Sequence, residues 1–169
     1  MLEIRAPTRR PNIRYLIRRL GRGTSDILTA TATLIRSRWA SLYGMECGLN
    51  RAILFVRSKG EAEKLVGSLE CEYYHSQIAS IEEKAAIVSR GTCGQSSPFL
   101  VGTSSLGTGL DYRHIRVAIH VEEPYGLANF VQESGRAGRD GQAADSLVIL
   151  NYGWKPPSHF PPSNRSMYE

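Results

Sequence analysis

Four short, mainly apolar runs constrain this chain more than any other feature: 52–56 (AILFV), 98–103 (PFLVGT), 116–121 (RVAIHV) and 146–150 (SLVIL). Runs of this length without polar alternation suit strands covered on both faces, as in a parallel sheet. Helical patterns lie between them. Leu28, Ala32, Ile35, Trp39 and Leu42 form one stripe after the N-cap residues Ser25 and Asp26, ending near Gly44. Ala62, Leu65, Val66 and Leu69 form a second from Gly60 onward. Cys71–Tyr74 reads as a brief strand. Ser80-Ile81-Glu82-Glu83 fits a capping box opening a helix through Val88, which Gly91 and Gly94 then break. A shorter helical stretch covers Leu127–Glu133. Strand and helix alternate throughout, so the expected fold is α/β, a parallel sheet with helices on both faces. After Asn151, Pro156, Pro157, Pro161 and Pro162 preclude a helix or central strand. The expected organisation is a basic N-terminal arm or entry segment at 1–22, a domain at 23–152 and a disordered Pro-rich tail at 153–169.

The 169 residues suffice for one well-buried core. No window approaches the roughly 18 apolar residues of a membrane span. No apolar stretch follows the basic N-terminus as a secretory signal requires, which points to an intracellular address. Cys47, Cys71 and Cys93 are far apart and offer no CxxC, so they read as structural thiols, and no histidine pair has metal-ligand spacing. No metal site is expected in the chain itself. The net charge of +5 belongs to one end: residues 1–40 carry nine arginines against Glu3 and Asp26. The cluster Arg9, Arg10, Arg14, Arg18, Arg19 and Arg22 suits either a phosphate-rich partner or a solvated face or linker.

Two glycine-rich loops, 104–113 and 135–141, are expected at or beside the carboxyl ends of strands, where parallel sheets bind ligands. Gly107-Thr108-Gly109 allows backbone approach to an anion or makes a plain turn, and Asp111 could accept from ribose hydroxyls. In Gln132-Glu133-Ser134-Gly135-Arg136-Ala137-Gly138-Arg139-Asp140-Gly141, two arginines sit three apart among three glycines. Forked donors positioned by turns suit a polyphosphate, and their use would be to stabilise transition-state charge.

That last segment resembles motif VI of superfamily 2 helicases, in wording most similar to the RecQ-type DNA helicases. Ile53–Ser58 resembles motif IV, Tyr74-His75 the aromatic-histidine segment after it, and Val101–Asp111 motif V. Arg10-Pro11-Asn12-Ile13-Arg14-Tyr15 resembles the start of the RecQ second motor domain. The match runs from about Pro11 to Leu150. It implies a RecA-like helicase C-terminal domain that closes over ATP bound to a first RecA-like domain, in cis or in trans, and moves along single-stranded or forked DNA, with 3′-to-5′ polarity. By resemblance, Arg139 is the arginine finger on the γ-phosphate, Arg136 its partner, and Gln132 a positioning residue. Gly109 and Asp111 then line the nucleotide side, while Ser58, His75, Thr103 and Ser105 lie towards the DNA backbone. A nuclear address, in DNA repair or recombination, follows from the same resemblance.

The departures are equally plain. No GxxxxGK[ST] loop and no DExH box occur, so Mg²⁺ would come only through the first domain, and the chain alone is expected not to hydrolyse ATP. No cysteine follows Cys93, so the zinc module typical of RecQ helicases has no ligands here. The alternative expectation is a non-enzymatic, helicase-derived nucleic-acid-binding module using its basic arm.

Overall fold

The structure, a computed structural model, describes residues 10–24, 26–44, 48–75, 78, 80–93, 97–103, 106 and 111–155. In chain order these form β1 (Ile13–Arg19), α1 (Ile27–Tyr43), β2 (Arg51–Phe55), α2 (Lys59–Leu69), β3 (Glu72–Tyr74), α3 (Ile81–Cys93), β4 (Phe99–Gly102), β5 (Ile115–Val121), α4 (Leu127–Ser134) and β6 (Ala144–Leu150). The six strands make one sheet in the order β1-β6-β5-β2-β4-β3. Every pairing is parallel.

Full burial on both faces explains the continuous apolar runs. In β2, Ala52 and Leu54 face a core built with α1 and α2, through Leu28, Ile35, Trp39, Leu65 and Leu69. Ile53 and Phe55 face a second core with Ile87 of α3 and with Leu106 and Ala137. Side chains such as Ile53, Leu54, Leu100 and Ile119 are at most 1% exposed. Each contributes about 1.5–3 kcal/mol of burial, which holds the layers together.

Local signals place the helices. Asp26 caps α1, its carboxylate accepting from the Leu28 amide at 3.0 Å, and Gly44 at φ 71° ends the helix. Ser58 and Glu61 form a reciprocal capping box at the start of α2. Ser80 Oγ accepts from the Glu83 amide at 2.9 Å, as the sequence motif implied. Helix α3, however, continues beyond Val88 and through Gly91 to Cys93. A Cβ at Gly91 would stand 2.9 Å from Leu100 Cδ1, so the glycine serves close helix–sheet approach and not helix termination. Cys71, between α2 and β3, is a free thiol whose pKa is pushed up to about 12, first by burial and then by Glu72, so it stays protonated at neutral pH.

The segment expected as an arm supplies an edge strand. Ile13–Arg19 pairs with Ala144–Leu150 along its whole length. Arg14, Arg18 and Arg19 hid the strand, because an edge exposed to solvent needs little apolar surface. Arg14 is no free cation: its Nε and Nη2 donate to Asp145 at 3.0 Å each, and Arg38 Nη2 adds a third bond at 2.8 Å. Burial alone would raise the Asp145 carboxyl, yet the two arginines together hold it below its ordinary value. A depressed carboxylate stabilises the fold fully above its unfolded pKa and loses that contribution as pH falls through the folded value. Asp145→Asn should therefore cost about 1–3 kcal/mol near neutral pH. In denaturant melts, the gap to the unaltered chain should close below roughly pH 4; an unchanged gap there would mean the charge is not what matters.

Candidate functional site

The predicted site residues separate onto the two opposite edges of the sheet. The loop 135–143 joins α4 to β6 and lies at the amino edge: Gly138 N donates to the Ile115 carbonyl at the start of β5, and Ala144 N to the Asn12 carbonyl ahead of β1, each at 2.9 Å. Both glycine-rich loops were expected at carboxyl ends, and for 135–141 that placement is wrong. A helix-to-strand connection must deliver the chain to the beginning of its next parallel strand.

The first described residues grip this loop. Arg10 Nη1 donates to the Gly135 carbonyl at 3.2 Å, and Nη2 to those of Ala137 and Gly138 at 3.1 and 2.9 Å. Asn12 Nδ2 donates to the carbonyls of Gly138 and Gln142 at 2.8 and 2.9 Å. Gly138 has φ +60°, and a Cβ there would stand 2.5 Å from Asn12 Nδ2 and 2.7 Å from the Gln142 carbonyl oxygen. At the far side, Asp140 accepts from buried Arg116, and His114 Nδ1 lies 3.4 Å from the same carboxylate.

On this platform stand the two loop arginines. Arg139 Nη1 donates to Asp111 Oδ1 at 2.7 Å, joining the end of one glycine-rich loop to the other. Asp111 is 86% exposed, so a polyanion can compete for Arg139. Arg136 is only 6% exposed. Its pKa is lowered by burial and then by Arg139, while Glu133 and Asp111 oppose the shift. Arginine still keeps its charge at neutral pH, so the edge presents a poorly hydrated cation beside a partly exposed one, an arrangement that suits a phosphate chain. Gln132 is exposed on the last turn of α4.

The opposite, carboxyl edge carries Ser58 after β2, His75 after β3 and Thr103 after β4. The Glu61 carboxylate accepts from the amides of Arg57 and Ser58 at 3.0 and 3.2 Å. A phosphate there would have to displace the carboxylate or use the Ser58 hydroxyl. The His75 ring lies 4.8 Å from that of Tyr73. Ser105 and Gly109 lie outside the described residues. Among the described residues, no group of three or more His, Cys, Asp or Glu is placed to hold a metal ion, and no helix is long and apolar enough to cross a membrane.

Two features escaped the sequence reading. Arg10 and Asn12 were read as part of an arm or entry segment, with no contact to the loop foreseen, although Arg10-Pro11-Asn12 directly precedes a strand pairing beside it. His120 and Glu133 form a buried pair, Nε2 to Oε2 at 3.0 Å, next to a 2.7 Å contact between the Ser134 and Ser146 hydroxyls. Helical spacing did not signal it: Leu127, Val131 and Ser134 stand at i, i+4 and i+7 on one stripe, yet the two apolar residues are exposed, while Ser134 and its neighbour Glu133 are buried.

The model of the family described as "Helicase conserved C-terminal domain" matches residues 43–141, more than half of the chain. The chain is a helicase C-terminal domain. It is RecQ-like: it is 27% identical over 152 residues to "Putative ATP-dependent DNA helicase Q1" of Caenorhabditis elegans, covering 87% of this chain and 22% of that protein. It is 28% identical over 149 residues to "ATP-dependent DNA helicase Q1" of Pongo abelii, covering 85% and 21%. The helicase domain thus spans about a fifth of the length of these relatives. In fold it is similar to the structure described as "Mss116p DEAD-box helicase domain 2 bound to an RNA duplex", with TM-score 0.64 and 17% identity over 83% of this chain and 54% of that one. The RecA-like fold read from the motifs is the fold observed.

Proposed function

We propose that this helicase C-terminal domain acts as the second motor half of a RecQ-like, ATP-dependent DNA helicase, with Arg139 as the arginine finger on ATP held by a first RecA-like domain. The carrying observation is the gathering of Arg136, Arg139 and Asp111 on one edge of the sheet, with Ser58, His75 and Thr103 on the other. Such a division lets one domain touch nucleotide and nucleic acid at once. When bound, ATP with its Mg²⁺ supplies the free energy of the motor cycle. On this chain, Arg139 leaves Asp111 for the terminal phosphate, Arg136 adds charge behind it, Asp111 is released to the sugar, and Gln132 orients the loop.

The name of the Q1 relatives supports DNA as the polymer, single-stranded or forked. A nuclear or otherwise intracellular address belongs to the same proposal. The first domain must bring the phosphate loop and the metal-holding carboxylates, because hydrolysis needs those groups and the finger together. The test is DNA-stimulated ATP hydrolysis by the 169-residue chain, alone and mixed with a RecQ first domain. The chain alone should show no turnover. The mixture should turn over, and Arg139→Ala should lower its rate by roughly 10³-fold or more. Turnover by the chain alone, or an Arg139→Ala mixture as fast as the original, would overturn the assignment.

A further inference from the structure

The N-terminal arginines sort themselves by what they touch. Arg10 holds loop carbonyls and Arg14 holds Asp145, so both are committed within the fold. Arg18, Arg19 and Arg22 are exposed, and all three lie at the carboxyl end of β1. There two of them meet aromatic rings from the turn after β6. The Arg19 guanidinium lies 6.0 Å from the Trp154 ring centroid, and that of Arg22 lies 5.2 Å from Tyr152. Arg22 also donates through Nε and Nη2 to the Tyr152 hydroxyl, at 3.1 and 2.7 Å. A third pair stands on the same edge: Arg57, after β2, lies 5.3 Å from Tyr125, whose hydroxyl donates to the Arg57 carbonyl at 2.8 Å. Tyr152 and Tyr125 remain 51% and 61% exposed.

We propose that the carboxyl ends of β1 and β6, through Arg19, Arg22, Tyr152 and Trp154, form a single-stranded nucleic-acid contact that extends the path over the motif loops. The inference rests on the nucleic-acid reading of that edge and adds residues outside every helicase motif identified above. Because β1, β6, β5 and β2 are neighbours, the three arginine–aromatic pairs spread over roughly 14 Å at about 4.8 Å per strand. That is the length of a few nucleotides. An aromatic ring with one face open stacks a base, and the guanidinium beside it meets the phosphate, a combination independent of sequence. Double-stranded nucleic acid keeps its base faces stacked and cannot use the rings. Glu122 and Glu123 follow β5 in the middle of the row, and Asn151 donates to Glu122 at 3.2 Å. Their charge places the phosphates toward the two arginine-bearing ends.

The test is fluorescence anisotropy of the full chain with a labelled oligothymidylate and with an abasic oligomer of equal length. Tyr152→Leu with Trp154→Leu should weaken oligothymidylate binding about tenfold or more and leave the abasic oligomer nearly unaffected. Arg19→Gln with Arg22→Gln should weaken both and reduce the salt slope by about 1.4. Tyr152→Phe, which keeps the ring, should bind nearly as the original does, and thermal melts of each variant separate unfolding from lost contact. Equal affinity of the unaltered chain for the abasic oligomer, or unchanged oligothymidylate affinity in both double variants, would overturn the proposal. If Ser58→Ala with Thr103→Ala then abolished binding, the motif-loop reading would stand without this extension. If no variant of either set mattered, or the unaltered chain bound neither oligomer, both would fall.

Discussion

Gly138→Ala should destabilise the domain by about 3 kcal/mol, lowering Tm by roughly 6–12 °C. A left-handed backbone costs a non-glycine residue about 1 kcal/mol. The rest comes from contact, because the new methyl would meet Asn12 Nδ2 at 2.5 Å and the Gln142 carbonyl at 2.7 Å, and the latter is backbone that cannot swing aside. Relief must then push the loop away from β1, breaking the bonds from Arg10 and Asn12 that hold Gly135, Ala137 and Gly138. Adding Asn12→Ala should cost less in the Gly138→Ala background than in the unaltered chain, since it removes one partner of the clash. Strict additivity of the two changes in thermal melts would mean that the side chains do not meet.

Glu133→Ala should cost about 2–4 kcal/mol, because it strips His120 of its partner inside a dry layer and opens a cavity between α4 and the sheet. Both side chains are under 7% exposed, and the His120 ring is also packed between Phe55 and Phe130 at centroid distances of 5.2 and 5.1 Å. Glu133→Gln keeps an oxygen at the same place and should recover more than half of the loss. Guanidinium melts of the three proteins decide the matter. Equal destabilisation by alanine and glutamine would show that the carboxylate charge, and not the hydrogen bond, holds the helix.

Reading the sequence located β2, β4, β5 and β6 to within about two residues, because strands buried on both faces are built mainly from apolar side chains, and the buried Arg116, His120 and Asp145 are each met by a partner. It missed β1 for the converse reason. In Ile13–Arg19 only Ile13 is buried, so the segment carries the composition of a surface although it has the backbone of a strand. Gly91 misled in another way: glycine usually signals a helix end, whereas here it marks where α3 presses on Leu100. At the candidate site, residue types and spacing singled out Arg136, Arg139 and Asp111, and the fold joins Arg139 to Asp111 by a direct bond. What spacing alone did not convey was which end of the sheet each loop reaches, or that Arg10 and Asn12 hold the arginine loop from 125 or more positions away.

The partnership of β1 with β6 also governs how the domain can be assembled. Ile13 must wait for Ala144, 131 positions later, before it gains a ladder partner. The inner strands can associate earlier, since β2 and β4 are neighbours within a shorter stretch of chain. Closing so long a loop is entropically costly and slows the step that depends on it. During synthesis, β1 emerges before the other described strands of this domain and is the last to be paired, and the grip of Arg10 and Asn12 on the arginine loop forms only at that moment. A chain interrupted before β6 would retain most of its apolar core yet expose an unpaired, arginine-studded ribbon and lack an ordered arginine loop.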